Sequence, residues 1–294
     1  MIKKSVYKVL DEDQYLVTEE FINENKQVTK KRLFEGNSIH ETLTTYNSDK
    51  KILSETDFEK GIELNRLTFK YDEKGRILEQ KTFMSGELYQ RISTVYAESG
   101  FTKTTFLDEE ETEKEVKSFE GKNYRIHYYE NGELDQYQLC EFDETGLNSV
   151  LKAFDSDNNL IAEDFESFNE SGKVIGSKDL DGKGNLIREV QYKLDGDLYV
   201  EELVKDFSSG DTNYSNNVVI RSIDYDEKGN QTKIEVKSPD GNLLGFQLME
   251  YDDNDRVIVD KGLALGSFNA IYGTHKNDLS FHFVFRYEKV EDLA

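Results

Sequence analysis

Tyr71-Asp72-Glu73-Lys74-Gly75-Arg76-Ile77-Leu78 returns as Tyr225-Asp226-Glu227-Lys228-Gly229-Asn230, and this recurrence decides the fold. Looser copies begin at Tyr46, Phe83, Phe119, Tyr129, Phe142, Phe154, Phe168, Leu180, Tyr192 and Tyr251. Each places an apolar residue before a few turn-forming residues, and most return to Leu, Ile or Val. From Phe142 the anchors fall at 142, 154, 168, 180 and 192, a period of about twelve. That is too short for a helix pair and matches strands joined by turns.

The turn chemistry agrees. Glu130-Asn131-Gly132-Glu133, Ser238-Pro239-Asp240-Gly241-Asn242 and Ser171-Gly172-Lys173 offer Gly, Asn or Asp where φ must be positive. The segments between turns, such as Ile77 to Phe83 and Leu186 to Tyr192, carry β-branched and aromatic residues at strand length. Their alternation is weak. Leu186, Arg188, Val190 and Tyr192 share one face, and Ile187, Glu189 and Gln191 the other, so neither face reads as dry. The expectation is an all-β protein: a long antiparallel meander of strand-turn repeats, largely single-layered or curled. Its concave face would be at most partly covered. Cross-strand aromatic and charged pairs would hold it together.

Residues 1–258 read as this β-repeat meander. Residues 259–294 change character, with Gly262 to Gly273 and Leu279 to Tyr287 sparsely charged and rich in aromatics. They read as a C-terminal cap closing the array, with Phe268 and Tyr272 as candidate partner contacts.

Composition narrows the function. Of 294 residues 36% are apolar and 33% charged, a thin supply of core. The 17 Tyr and 18 Phe, spread along the chain, argue against disorder. The formal charge of −23 opposes nucleic acid and anionic lipid and suits a basic partner. No run of 18 apolar residues suggests a membrane span. Cys140 is alone, so no intrachain disulfide can form, and the first residues lack the apolar core of a signal peptide. The expected location is the cytoplasm.

The Tyr-Asp-x-x-Gly-x-x unit at 71–77 and 225–231 resembles the tyrosine-aspartate (YD, or Rhs-type) repeats and the MORN-like repeats of bacterial antitoxins. The likeness runs over about residues 46–258. The pattern departs at Tyr251-Asp252-Asp253-Asn254-Asp255, where Asp replaces Gly, and at Leu180, where the Tyr is lost. The resemblance implies a β-rich scaffold for binding or encapsulation. Some such proteins are immunity proteins that neutralise a toxin, and no catalytic residue is implied.

The residues themselves offer little chemistry. His40, His127, His275 and His282 show no metal-ligand spacing with one another or with Cys140, and no nucleophile elbow, P-loop or dinucleotide fingerprint occurs. Cys140 reads as a small buried hydrophobe. Asp155, Asp157, Asn159 and Glu166 fall at calcium-loop positions 1, 3, 5 and 12, but Leu160 stands where glycine is required. No metal or cofactor is expected. The densest charge cluster is Asp108, Glu109, Glu110, Glu111 and Glu113, a solvated loop or a contact patch for a basic protein. The expected function is therefore a non-enzymatic, immunity-type scaffold that neutralises a basic toxin. A carbohydrate or cell-surface binding module is the alternative.

Overall fold

The computed structural model describes residues 1–207, 218–264 and 280–290. Every regular element among them is a strand. In order these are β1 (Ile2–Leu10), β2 (Asp13–Ile22), β3 (Val28–Glu35), β4 (Ser38–Tyr46), β5 (Ile52–Glu59), β6 (Ile62–Tyr71), β7 (Ile77–Met84), β8 (Glu87–Ala97), β9 (Gly100–Leu107), β10 (Glu110–Glu120) and β11 (Asn123–Glu130). There follow β12 (Glu133–Phe142), β13 (Asn148–Asp155), β14 (Leu160–Phe168), β15 (Val174–Asp181), β16 (Leu186–Asp195), β17 (Leu198–Asp206), β18 (Val218–Tyr225), β19 (Gln231–Lys237), β20 (Leu243–Tyr251), β21 (Val257–Ala264) and β22 (Ser280–Lys289).

These strands form one 22-stranded sheet. Sequence neighbours pair antiparallel, as in Lys70↔Glu79 between β6 and β7 and Val190↔Val204 between β16 and β17. The all-β antiparallel meander expected from the repeat is what the chain forms. One pairing goes further: β1 joins β2 on one side and β22 on the other, from Ile2↔Lys289 to Lys8↔Phe283. The first strand is thus flanked by its sequence neighbour on one side and by the last described strand on the other, so neither of its edges is left unpaired. Strand β21 carries the ladder past residue 258, whereas residues 265–279 and 291–294 of the expected cap lie outside the described residues.

The repeat is, physically, a hairpin turn closed by its own first side chain. In Asp226 to Asn230, the Asp226 amide donates to the Asn230 carbonyl and the Gly229 amide to the Asp226 carbonyl, at 2.9 and 3.1 Å. Asp226 Oδ1 accepts from the amides of Lys228 and Asn230, both at 2.9 Å. Gly229 at φ 86° supplies the left-handed residue that completes a three-residue loop with a bulge. The same plan recurs at Asn23, Asn47, Asp72, Asp143, Asp155, Asn169, Asp181 and Asp252, and Ser238 serves with its hydroxyl. Repeat spelling varies because Asp, Asn and Ser all present a suitable acceptor.

The chain divides into two compact units. Unit 1 comprises Met1–Val116, Tyr129–Glu133 and Phe283–Ala294. It buries little, chiefly Phe21, Ser5 and Thr105. A belt of charge crosses five of its strands instead: Glu288–Lys3 at 3.2 Å, Lys3–Glu19 at 3.6 Å, Glu19–Arg32 at 3.4 Å, Arg32–Glu41 at 3.1 Å and Glu41–Lys30 at 2.7 Å. Burial pushes the Glu41 carboxyl up, but hydrogen bonds from Lys30 and Arg32 outweigh it and hold the carboxyl below its ordinary range. Unit 2, Lys117–Tyr128 and Leu134–His282, contains the denser core, with Val219 and Val236 packed by Val204, Ile234 and Leu244. Strands of mixed character suffice because the cross-strand pairs supply what a thick core would.

Candidate functional site

Consecutive antiparallel pairing sends alternate turns to opposite margins of a sheet. In unit 1 the turns after β1, β3, β5, β7 and β9 share one margin. Their residues and the flanking strand ends include Asp11, Glu12, Asp13, Glu35, Glu59, Glu87, Asp108, Glu109 and Glu110, against Lys60 as the one base. The opposite margin is balanced. There the turns after β2, β4, β6 and β8 contain Glu24, Asp49, Asp72, Glu73 and Glu98, offset by Lys26, Lys50, Lys51, Lys74 and Arg76. Turn charge in this unit is therefore distributed with a direction.

Exposed apolar side chains accompany the acidic margin. Leu10 is 50% exposed, Ile39 47%, Ile62 68% and Met84 48%, at the ends of β1, β4, β6 and β7. Exposed apolar side chains also lie toward the balanced margin, among them Leu53, Ile77 and Val95, so charge and not apolar exposure distinguishes the two margins.

Asp108, Glu109, Glu110, Glu111 and Glu113 lie at this margin and are all exposed. Asp108 and Glu109 form the turn between β9 and β10 with φ of 49° and 67°. The comparable paired left-handed turns Lys60-Gly61, Ser85-Gly86 and Asn131-Gly132 each place glycine second. Such turns favour Asn-Gly, and a non-glycine residue there costs roughly 1–2 kcal/mol. Local geometry thus disfavours the acidic pair that this tip presents. Among the described residues only Glu109 of this cluster has an ion-pair partner, Arg91 at 3.5 Å. The other candidate contacts, Phe268 and Tyr272, lie outside the described residues.

The remaining candidate chemistry resolves into structure. Asp155 does not await calcium: its Oδ1 accepts from the amides of Asp157 and Asn159 at 3.0 and 2.8 Å, and its Oδ2 from Asn159 Nδ2 at 2.9 Å. Those bonds, the Asn159 side chain's first, hold the carboxyl below its ordinary range. Among the described residues no group of three His, Cys, Asp or Glu is placed to hold a metal. Cys140 is buried on β12, where burial pushes its thiol up. Sequence reading missed the charge asymmetry of the two margins, because it appears only once strand order assigns each turn to a side.

No family model matches the chain, and no curated protein matches it. Solved structures resemble it distantly. A porin-like protein from Bacteroides uniformis ATCC 8492 is 8% identical over 97% of both chains, with a TM-score of 0.33. The TcdB2-TccC3-TEV structure is 13% identical over 83% of this chain and 16% of that one, at 0.21. A protein of unknown function from Bacteroides fragilis NCTC 9343 is 14% identical over 48% of this chain and 91% of that one, at 0.19. Likeness at this level assigns no function.

Proposed function

We propose that the chain is a non-enzymatic protein-binding scaffold of the immunity or antitoxin kind, whose sheet closes on itself and whose acidic margin seats a basic toxin in the cytoplasm. One observation carries this reading: in unit 1 the acids gather at one margin beside exposed Leu10, Ile62 and Met84, while the other margin is balanced. Complementary charge would speed association and fix orientation, and the apolar side chains would supply contact area once docked. The strained Asp108-Glu109 turn supports the reading, since it keeps two carboxylates where Asn-Gly fits better. Co-expression with the product of the adjacent gene tests it. Rescue of growth that is lost on reversing the charges at Asp108, Glu109, Glu111 and Glu113 is the expected result. Unchanged toxicity, or rescue indifferent to those charges, would sink it.

A further inference from the structure

We infer that one face of unit 1, where β6, β7 and β8 lie side by side, holds a binding site for a phosphate group, free or carried by a small molecule as a monoester. The site needs no protein partner, so it stands apart from the protein-binding reading. Among the described residues of the ladders from β1 to β9 and from β12 to β21, two charged side chains set directly opposite one another normally differ in sign, as in Arg32↔Glu41, Lys70↔Glu79 and Glu202↔Arg221. Two pairs break the pattern, Asp164↔Asp179 in unit 2 and Lys81↔Arg91 in unit 1. Like charges placed opposite, with Cβ atoms about 5 Å apart, are destabilising. Arg66 adds a third cation. Lys81 faces Thr68 on its other side, and Arg66 stands two residues from Thr68 on the same face, a diagonal of about 7 Å. In a chain of 37 bases and 60 acids, three cations gathered on one face break a local rule that the ladders otherwise keep, which is the mark of a functional site.

The cations are ordered, but their donors are not spent. The Arg66 guanidinium lies over the Phe83 ring, 4.7 Å from its centroid, and that of Arg91 over the Phe106 ring at 3.8 Å. A guanidinium laid on a ring keeps its in-plane N–H groups for an oxyanion and loses less freedom on binding one. Neighbouring carboxylates hold the two loosely: Glu63 is 3.5 Å from Arg66, and the exposed Glu109 is 3.5 Å from Arg91. Among the described residues neither guanidinium donates a hydrogen bond, and Arg66 Nε is buried without a hydrogen-bond partner. Glu79 serves two lysines, Lys70 at 2.9 Å and Lys81 at 3.2 Å. The side chains of Arg66, Lys81 and Arg91 remain 39%, 29% and 24% exposed, open to a ligand.

This arrangement selects the ligand. A compact dianion can meet two guanidinium forks and an ammonium at once, whereas a single carboxylate is satisfied by one fork. Thr68 and Ser93, on the same face as Lys81 and Arg91, add hydroxyl donors. An extended polyanion would run on to the margin that carries Asp108 and Glu109 and be repelled there. A single phosphate avoids that margin, and more distant acids are screened beyond about 8 Å at physiological salt.

The test is amide chemical-shift mapping on the full chain with inorganic phosphate and glycerol 3-phosphate at up to about 20 mM and constant ionic strength, a range suited to weak binding. Acetate serves as the monoanion probe. At least one phosphate should move the amides of Arg66 to Thr68, Lys81 to Phe83 and Arg91 to Ser93 in a saturable way; inorganic phosphate alone points to the free ion, and glycerol 3-phosphate alone to an ester. Lys81→Gln and Arg91→Gln should each weaken binding about tenfold, equivalent to about 1.4 kcal/mol. Lys81→Gln leaves Glu79 its pair with Lys70, so the thermal midpoint without phosphate should hold and the lost binding is not a lost fold. Glu109→Gln, which removes a competing carboxylate, should tighten binding. No saturable response to either phosphate, an equal response to acetate, or full affinity in both Lys81→Gln and Arg91→Gln would overturn the assignment.

Discussion

The Tyr71 hydroxyl donates to the Ile52 carbonyl at 2.7 Å, tying the end of β6 to the start of β5. Tyr46 does the same to Val28 at 2.7 Å, Tyr225 to Tyr199 at 2.8 Å and Tyr251 to Gln231 at 2.8 Å. The tyrosine of the repeat is therefore a strap as well as an apolar anchor. Tyr71→Phe keeps the ring and removes the strap, so it should lower unfolding free energy by about 1 kcal/mol in urea titrations. A midpoint equal to that of the unmodified protein would show that the hydroxyl contributes nothing.

The turn aspartates make stability acid-sensitive. Hydrogen bonds from the Asn148 and Thr145 side chains, with backbone amides, lower the Asp143 carboxyl to about 2, and the Arg256 side chain leads in lowering that of Asp252 to about 2. Both start from an ordinary value of 3.8, so the native state favours their charged form. Their contribution is complete above about pH 4 and disappears as pH falls through about 2. Asn fills the same role at positions 23, 47 and 169. Asp143→Asn should therefore fold well at pH 7 and lose less stability than the unmodified protein between pH 4 and 2. Parallel pH profiles of the denaturation midpoint would refute this.

Gly262 on β21 is required for a close approach, not a turn. A Cβ there would lie 2.5 Å from the Phe246 carbonyl oxygen and 2.5 Å from a Phe281 ring carbon. Gly262→Ala should destabilise by about 1–3 kcal/mol through overpacking. Gly36, which has open space but φ of 58°, should lose only about 1 kcal/mol on the same change. Comparing the two thermal midpoints separates crowding from backbone strain, and a Gly262→Ala variant less perturbed than Gly36→Ala would contradict the packing.

Replacing Asp108-Glu109 with Asn-Gly should raise stability by about 1–2 kcal/mol, since it fits the left-handed turn and relieves local repulsion. A loss of stability, measured by urea unfolding, would show that the acidic pair is there for the fold.

Much of this architecture was legible because turn chemistry is local. Asp226, Gly229 and Asn230 announce their hairpin by residue type alone, and the antiparallel meander follows from repeating it. The pairing of Ile2 with Lys289 could not be read, because it joins positions nearly a whole chain apart and strands as charged as β1 carry no partner label. The Asp108 to Glu113 patch was visible as a charge run. Its company was not: Glu12, Glu35 and Glu87 join it only through strand order, and Ile62 looks like any strand residue until its exposure of 68% is known. The turn at Asp155 was legible as one more copy of the repeat despite its calcium-like spacing; the donors to its carboxylate, the Asp157 and Asn159 amides and the Asn159 side chain, appear only in the structure.

The central claim is that the acidic margin recognises a basic protein, and the direct measurement is the affinity for the adjacent gene's product by calorimetry at about 50 and about 500 mM salt. The unmodified chain should bind, more weakly at high salt, and the variant with Asp108, Glu109, Glu111 and Glu113 changed to lysine should lose at least about tenfold in affinity, about 1.4 kcal/mol, while keeping its fold. Absence of binding, or equal affinity in the unmodified and charge-reversed chains, would contradict the account.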